Sequence, residues 1–187
     1  MKLRRVFATT AAVLVGAIAG ACGGGDEERD EGAATVRGET QWGMELEVTP
    51  FVEPGSDPVL ERIDSYREGA GYEEVDYVRV VADNSEGDDA EIAPTVRFAR
   101  DYDALINGDS VEARYVCEAI EFEWPATSDE TRKQYDEIWE ESCEDGPPAR
   151  KVRAGQTVTY YLFVPRDFAG RGIEEMKIFG PLNAELQ

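Results

Sequence analysis

From Gln41 to Thr49 apolar and polar side chains alternate without a break. Trp42, Met44, Leu46 and Val48 stand against Gln41, Gly43, Glu45, Glu47 and Thr49. Period two puts each set on one face of an extended chain, which predicts a half-buried β-strand. Pro50 and the cluster Pro54-Gly55-Ser56-Asp57-Pro58 are expected to end it. Val75 to Ala82 is the strongest strand segment, with Val78, Val80 and Ala82 facing one way and Tyr77, Arg79 and Val81 the other. A polar turn from Asp83 to Asp89 follows. Ile92, Val96 and Phe98 then share one face of another strand, where Pro94 predicts an edge or a bulge. Asn107-Gly108, set between the apolar residues of Leu105 to Val111, is a hairpin signal. Val111, Ala113, Tyr115 and Cys117 alternate after it. Two further strands are predicted, Thr157 to Val164 after a Gly155-Gln156 turn, and Met176 to Phe179 before Gly180-Pro181.

The period changes once. From Ser128 to Cys143, Tyr135, Ile138, Trp139 and Ser142 fall on one helical face, with Thr127 and Glu130 as a capping box and Gly146-Pro147-Pro148 as the stop. The opposite face is almost all acid: Asp136, Glu137, Glu140, Glu141 and Glu144. Leu60 to Gly71 is ambiguous, because Leu60, Ile63 and Tyr66 have near-helical spacing in a short run closed by Gly69 and Gly71. Short strands, regularly spaced turns and one helix predict a mainly β chain, an antiparallel β-sandwich with one inserted α-helix.

Three stretches carry a resemblance. Tyr77-Val78-Arg79-Val80 running to Asn84, the Leu105 to Val111 segment, and Gly155-Gln156-Thr157-Val158-Thr159-Tyr160-Tyr161-Leu162-Phe163-Val164-Pro165 are similar to bacterial extracytoplasmic lipoproteins of unknown function with a telokin-like, immunoglobulin-like domain. A related secreted immunoprotective-antigen group shares that sandwich. The resemblance covers roughly Thr40 to Leu186, except residues 118–148, which read as a helical insertion. It implies an immunoglobulin-like domain over 40–187 with a binding or structural role, and it transfers no catalytic residue and no cofactor.

The N-terminus gives an address. Met1-Lys2-Leu3-Arg4-Arg5 is basic, Val6 to Ala21 is uncharged, and Ala19-Gly20-Ala21-Cys22 ends the run in small residues. A basic start, a short apolar stretch and small residues at the cut are the parts of a secretory signal. The stretch is shorter than the roughly 20 residues that span a bilayer. The small-small-Cys ending resembles the bacterial lipobox, in which the signal is removed and the new N-terminal Cys carries lipid; Ala19 stands where many such motifs have Leu or Val. Residues 1–21 are therefore expected to be a signal peptide, Cys22 the lipidation site and the membrane a partner through that lipid. The alternative is an ordinary cleaved signal with a chance Cys. Residues 22–39 are Gly-rich, then charged, and are expected to form an acidic tether.

Composition narrows what the domain can do. Nineteen Lys and Arg face 40 Asp and Glu, for a net charge of −21. Such a surface repels phosphate backbones, so nucleic acid is excluded as a partner. There is no His, which removes Ser-His and Cys-His nucleophile pairs and imidazole metal ligands. With Cys22 lipidated, Cys117 and Cys143 remain, and two thiols in an exported chain read as one disulfide. They lie too far apart in sequence for a redox Cys-x-x-Cys and are too few for a thiol metal site. Asp83 to Asp89, with Asp101, Asp103 and Asp109, is the best calcium candidate, but the spacing fits no EF-hand and a solvated turn is the simpler reading. Glu121 and Glu123 would share a strand face as a glycosidase pair, yet 40 acids produce such pairs by chance. Arg150, Lys151 and Arg153 form a local basic patch that offsets nearby acids. Trp124, Tyr135 and Trp139 are either the core-facing stripe of the helix or exposed anchors for a protein or envelope partner. The expected function is non-catalytic binding at a cell surface, with a spacer role or calcium-dependent binding as alternatives.

Overall fold

The computed structural model describes residues 35–40, 43–87, 95–143, 152–166, 176–180 and 185–187. Strand β1 is Val36–Glu39, β2 Glu45–Val52, β3 Val75–Asp83, β4 Arg97–Ala99, β5 Ser110–Glu112, β6 Arg114–Tyr115, β7 Thr157–Pro165 and β8 Lys177–Phe179. Helix α1 is Pro58–Ala70, α2 Tyr102–Asn107, α3 Val116–Phe122 and α4 Asp129–Ile138, the last continued by a π-helical turn over Trp139–Cys143.

Two antiparallel sheets result. One has five strands in the order β1-β2-β3-β7-β6 and the other three, β5-β4-β8. The spine is the β3–β7 ladder, nine pairs from Val75↔Pro165 to Asp83↔Thr157. Because side chains alternate across a strand, this ladder sends Val78, Val80, Ala82, Tyr160, Leu162 and Val164 to one side, where Leu46, Val48, Phe98 and Ile178 complete a buried cluster between the sheets. The other side carries Tyr77 and Phe163, which pack under Leu60, Ile63 and Tyr66 of α1, Val116, Ala119 and Ile120 of α3, and Ile138 of α4. The five-stranded sheet is thus covered on both faces, by a second sheet and by helices.

The two sheets also meet at their edges. β5 pairs with β4, Ala113 donates its N–H to the Val96 carbonyl, and β6 then pairs with β7, so one bent stretch serves both sheets. On the far side residues 185–187 bridge β8 and β1. Hydrogen bonding therefore runs around the whole sandwich.

Several expectations are corrected. Helix and strand contribute about equally, so a mainly β chain with one helix is replaced by two antiparallel sheets with four α-helices among the described residues. The sheet begins at Val36, inside the segment expected to be tether. Pro50 does not end β2; the ladder to β3 shifts between Thr49 and Val52, with Phe51 at φ 54°. That bulge keeps Phe51 on the inter-sheet cluster, 5.9 Å from the Phe98 ring, and turns Val52 toward the helices. The ambiguous Leu60 segment is α1, opened by Asp57, whose carboxylate accepts from the Val59 and Leu60 N–H groups, and closed by Gly71 at φ 83°. Asn107-Gly108 ends a helix instead of turning a hairpin: Gly108, at φ 85°, donates to the Ala104 and Leu105 carbonyls. Cys117 lies on α3, not on a strand. The capping box is Ser128 with Thr131, one residue past the expected pair. Trp42, Ile92, Pro94 and Glu144 lie outside the described residues.

Replacing fully buried Leu162 by Ala should cost about 2 to 5 kcal/mol in denaturant unfolding. The same truncation at Ile106, which is 61% exposed, should stay within about 0.5 kcal/mol.

Candidate functional site

The helical layer is where the candidate residues gather, and polar links set its position. Asp57, at the start of α1, also accepts from the Tyr161 hydroxyl on β7 at 3.1 Å and faces Arg79 Nη1 on β3 at 3.9 Å. Two turns on, Asp64 accepts from the Tyr77 hydroxyl and from Arg67 Nε, both at 2.9 Å. Arg67, only 5% exposed, donates its Nη1 to the Tyr72 carbonyl at 2.7 Å. These bonds fix the rotation of α1 on the sheet, because a buried charged side chain is tolerable only when its donors and acceptors are met. Tyr66 donates its hydroxyl to the Trp124 carbonyl and Tyr72 to that of Pro125, the latter at 2.9 Å, tying α1 to the turn between α3 and α4.

Cys117 of α3 and Cys143, at the end of the π-helical turn, form a disulfide with Cα atoms 5.5 Å apart. The bond closes a loop that contains most of α3 and all of α4.

The three aromatic candidates separate. Trp124 is 6% exposed, with its ring 4.9 Å from Phe163 and stacked on Tyr72 at 6.2 Å, so it belongs to the core and is removed from the partner-binding set. Tyr135 and Trp139, one helical turn apart, are half-buried, parallel within 4° and 5.8 Å apart, with the Arg132 guanidinium 5.4 Å from the Tyr135 ring centre. Beside them a groove of about 270 Å³ runs between α1 and α4, lined by Glu61, Arg62, Ser65, Gln134, Glu137 and Ile138. Arg62 spans it to meet Glu141 at 2.5 Å. The groove presents carboxylates, an amide and a hydroxyl, so it can make polar contacts at a surface; it is smaller and more charged than the apolar pockets that hold drug-sized ligands.

The remaining sequence candidates do not converge. Glu121 and Glu123 sit at the end of α3, and Glu123 pairs with Arg114 across to β6, so the shared strand face expected for them is absent. Asp83 accepts from the Ser85 N–H at 2.9 Å, a bond that holds its carboxyl below the ordinary value. Asp101 caps α2 and Asp103 lies in its first turn. Among the described residues no group of three or more His, Cys, Asp or Glu could hold a metal ion. Arg153 is exposed. Cys22, Asp88, Asp89, Arg150 and Lys151 lie outside the described residues. The groove has no signature in the sequence, because the spacing from Leu60 to Gly71 does not decide between helix and strand. The exposed Phe122, at 69%, and Tyr102, at 51%, also carry no signal in the sequence pattern, since Phe122 precedes the helical repeat that starts at Ser128 and Tyr102 falls between the strand of Val96 and Phe98 and the Leu105 to Val111 segment. Comparison with known protein families, with curated proteins and with solved structures finds no match to this chain.

Two outcomes follow for the helical layer. Reducing Cys117–Cys143 should lower stability by about 3.5 kcal/mol for a loop of this size, and hydrogen exchange should rise in α3 and α4 more than in the β3–β7 ladder. Alkali should act on the same layer. Burial pushes the Tyr66 and Tyr161 hydroxyls up to about 12, the Asp57 charge adding to the effect at Tyr161, and burial raises Tyr77 as well. A phenol that is harder to ionise in the folded state stabilises fully below its unfolded value of 10.0, and that contribution is lost as pH rises from there toward 12. Phenolate absorbance and helical circular dichroism followed together should therefore change in step across that window, with little change between pH 7 and 9.

Proposed function

We propose that this chain is a lipid-anchored extracytoplasmic protein whose two-sheet domain displays the α1–α4 layer to a protein or envelope partner without catalysing a reaction. The observation that carries the reading is the Cys117–Cys143 disulfide. Structural disulfides persist in oxidising compartments, and the chain opens with a signal-like stretch ending in Ala19-Gly20-Ala21-Cys22. With Cys117 and Cys143 joined to each other, Cys22 is left for lipid.

An immunoglobulin-like identity for the domain is part of the proposal. If β2, β3, β4, β5, β6, β7 and β8 are taken as strands A, B, C, C′, D, E and F, one sheet reads A-B-E-D with β1 added at its edge and the other C′-C-F without a strand G, an order that supports an immunoglobulin-like reading. On this assignment α1 occupies the A–B connection and the disulfide-closed helices the D–E connection. Loops and inserted elements on a firm scaffold are where binding residues concentrate. Tyr135 on α4 and Trp139 at the start of the π-helical turn, with the acidic groove beside them, are the residues assigned to contact. The net negative charge supports a partner other than nucleic acid.

Fractionation and intact mass test the anchor. Wild-type protein should partition with membranes and begin at a Cys22 carrying more than one acyl chain, since a single chain binds only marginally. Cys22→Ser should lose that modification. Wild-type protein free in the medium, with an N-terminus other than Cys22, would refute the anchor. For binding, Trp139→Ala should reduce capture of the partner from envelope extract, whereas Tyr102→Ser, on the three-stranded side, should leave it unchanged. Equal capture by both variants would remove the assignment to α4.

A further inference from the structure

Residues 185–187 occupy a position out of proportion to their number. Arg37 and Gln187 exchange two backbone hydrogen bonds, at 2.7 and 2.9 Å. Leu186 N–H donates to the Ile178 carbonyl at 2.9 Å, Glu185 bridges Phe179, and Lys177 Nζ reaches the Glu185 carboxylate at 2.8 Å. This segment is what joins β1, in the five-stranded sheet, to β8 in the other. Its single inward side chain, Leu186, is 6% exposed and belongs to the cluster between the sheets. Leu186 passes over two glycines. A methyl group placed on Gly38 would overlap Leu186 Cδ2, and one on Gly180 would come within 3.2 Å of it. Gly38 sits in a regular strand, so its lack of a side chain serves close approach and not backbone conformation.

β1 is flanked by β2 on one side and by this segment on the other. It has four residues, alternately half-buried and exposed, and four partners on β2. The β3–β7 ladder has nine pairs and apolar cover on both faces. Cooperative opening begins where buried contacts are few. Met44, fully buried, marks where the weak part ends.

We propose that residues 185–187 are a strap, held by Leu186 in the slot over Gly38 and Gly180, and that β1 and the strap open together while the β3–β7 ladder stays closed. The consequence at the membrane rests on the anchoring reading above. If Cys22 carries lipid, opening frees residues 35–40 and adds roughly 20 Å to the reach of the tether, at about 3.3 to 3.6 Å per extended residue. The strap then sets how far the domain stands from the surface.

Hydrogen exchange on the full chain tests this residue by residue, because the Arg37 N–H points at Gln187 and reports the strap directly. Leu186→Ala should speed exchange of Arg37 and the rest of β1 by about tenfold or more, the scale of a lost buried leucine contact, while Val78 and Val80 amides keep their protection. Equal acceleration in β1 and β3, or none in β1, overturns the strap. A double-mutant cycle supplies the second measurement. Gly38→Ala should lower the melting temperature in wild-type protein but leave it level or raise it in the Leu186→Ala background, where the overlapping methyls are gone. Additive effects overturn the slot. The same exchange run on Cys22→Ser separates the two readings: the strap persists without lipid, and a failure of anchoring removes only the tether consequence.

Discussion

The nine-pair ladder between β3 and β7 is the constraint on which the other elements depend. Both strands are central in the five-stranded sheet and both are apolar in consecutive positions, Tyr77-Val78 and Leu162-Phe163-Val164. A strand with one wet face alternates, whereas these cannot be satisfied by covering one side. The sequence of Val75–Asp83 and Thr157–Pro165 thus demands two layers. The short strands β4, β5 and β8 supply one and the helices α1, α3 and α4 the other. The segment read as an insertion is in this sense part of a third layer of the fold, since α3 and α4 join α1 in covering Tyr77 and Phe163.

Apolar cover alone does not orient helices, and the polar groups trapped beneath them do. Tyr161 and Tyr77 each point a hydroxyl at a carboxylate of α1, Asp57 and Asp64 respectively. The two bonds, seven residues apart on the helix, correspond to two helical turns on one face. Tyr66 and Tyr72 extend the pattern to the Trp124-Pro125 backbone. The exposed ion pairs, such as Arg37–Glu47 and Lys133–Glu137, contribute little by comparison because water and salt screen them.

How much of this could be read from the chain follows from the range over which each signal acts. Period two located β3, β7 and β8 closely, because alternation is a local property of the chain. The Cys117–Cys143 pair was legible from counting thiols. The helix over Ser128 to Cys143 was found and its cap missed by one residue, since Thr127, Ser128, Glu130 and Thr131 all have capping chemistry and only the backbone decides between them. Asn107-Gly108 misled for a physical reason: a hairpin and a helix C-terminus both need a residue at positive φ, and glycine serves either. Alternation through Cys117 misled because Ala113 hands the chain from one sheet to the other just before α3 begins. The burial of Trp124 and the groove beside Tyr135 and Trp139 were out of reach. Both depend on α1, which lies more than fifty residues away in sequence.

The strand order separates the two ends of the proposed function. The chain enters at β1, on one edge of the five-stranded sheet, and the helical layer rests on β3 and β7, with β2 between them. Val52, beyond the bulge, is the apolar β2 side chain packed against the layer, whereas β1 pairs with the opposite part of β2, Glu45 to Val48. A disturbance of β1 therefore reaches the inter-sheet cluster through Leu186 before it reaches α1 or α4. The disulfide and the tyrosine bonds lie wholly on the far side of the ladder. On the proposed reading, a domain held to a surface by this edge presents the α1–α4 layer with its own contacts unchanged while the attachment gives, because interactions that add independently are those that share no partners.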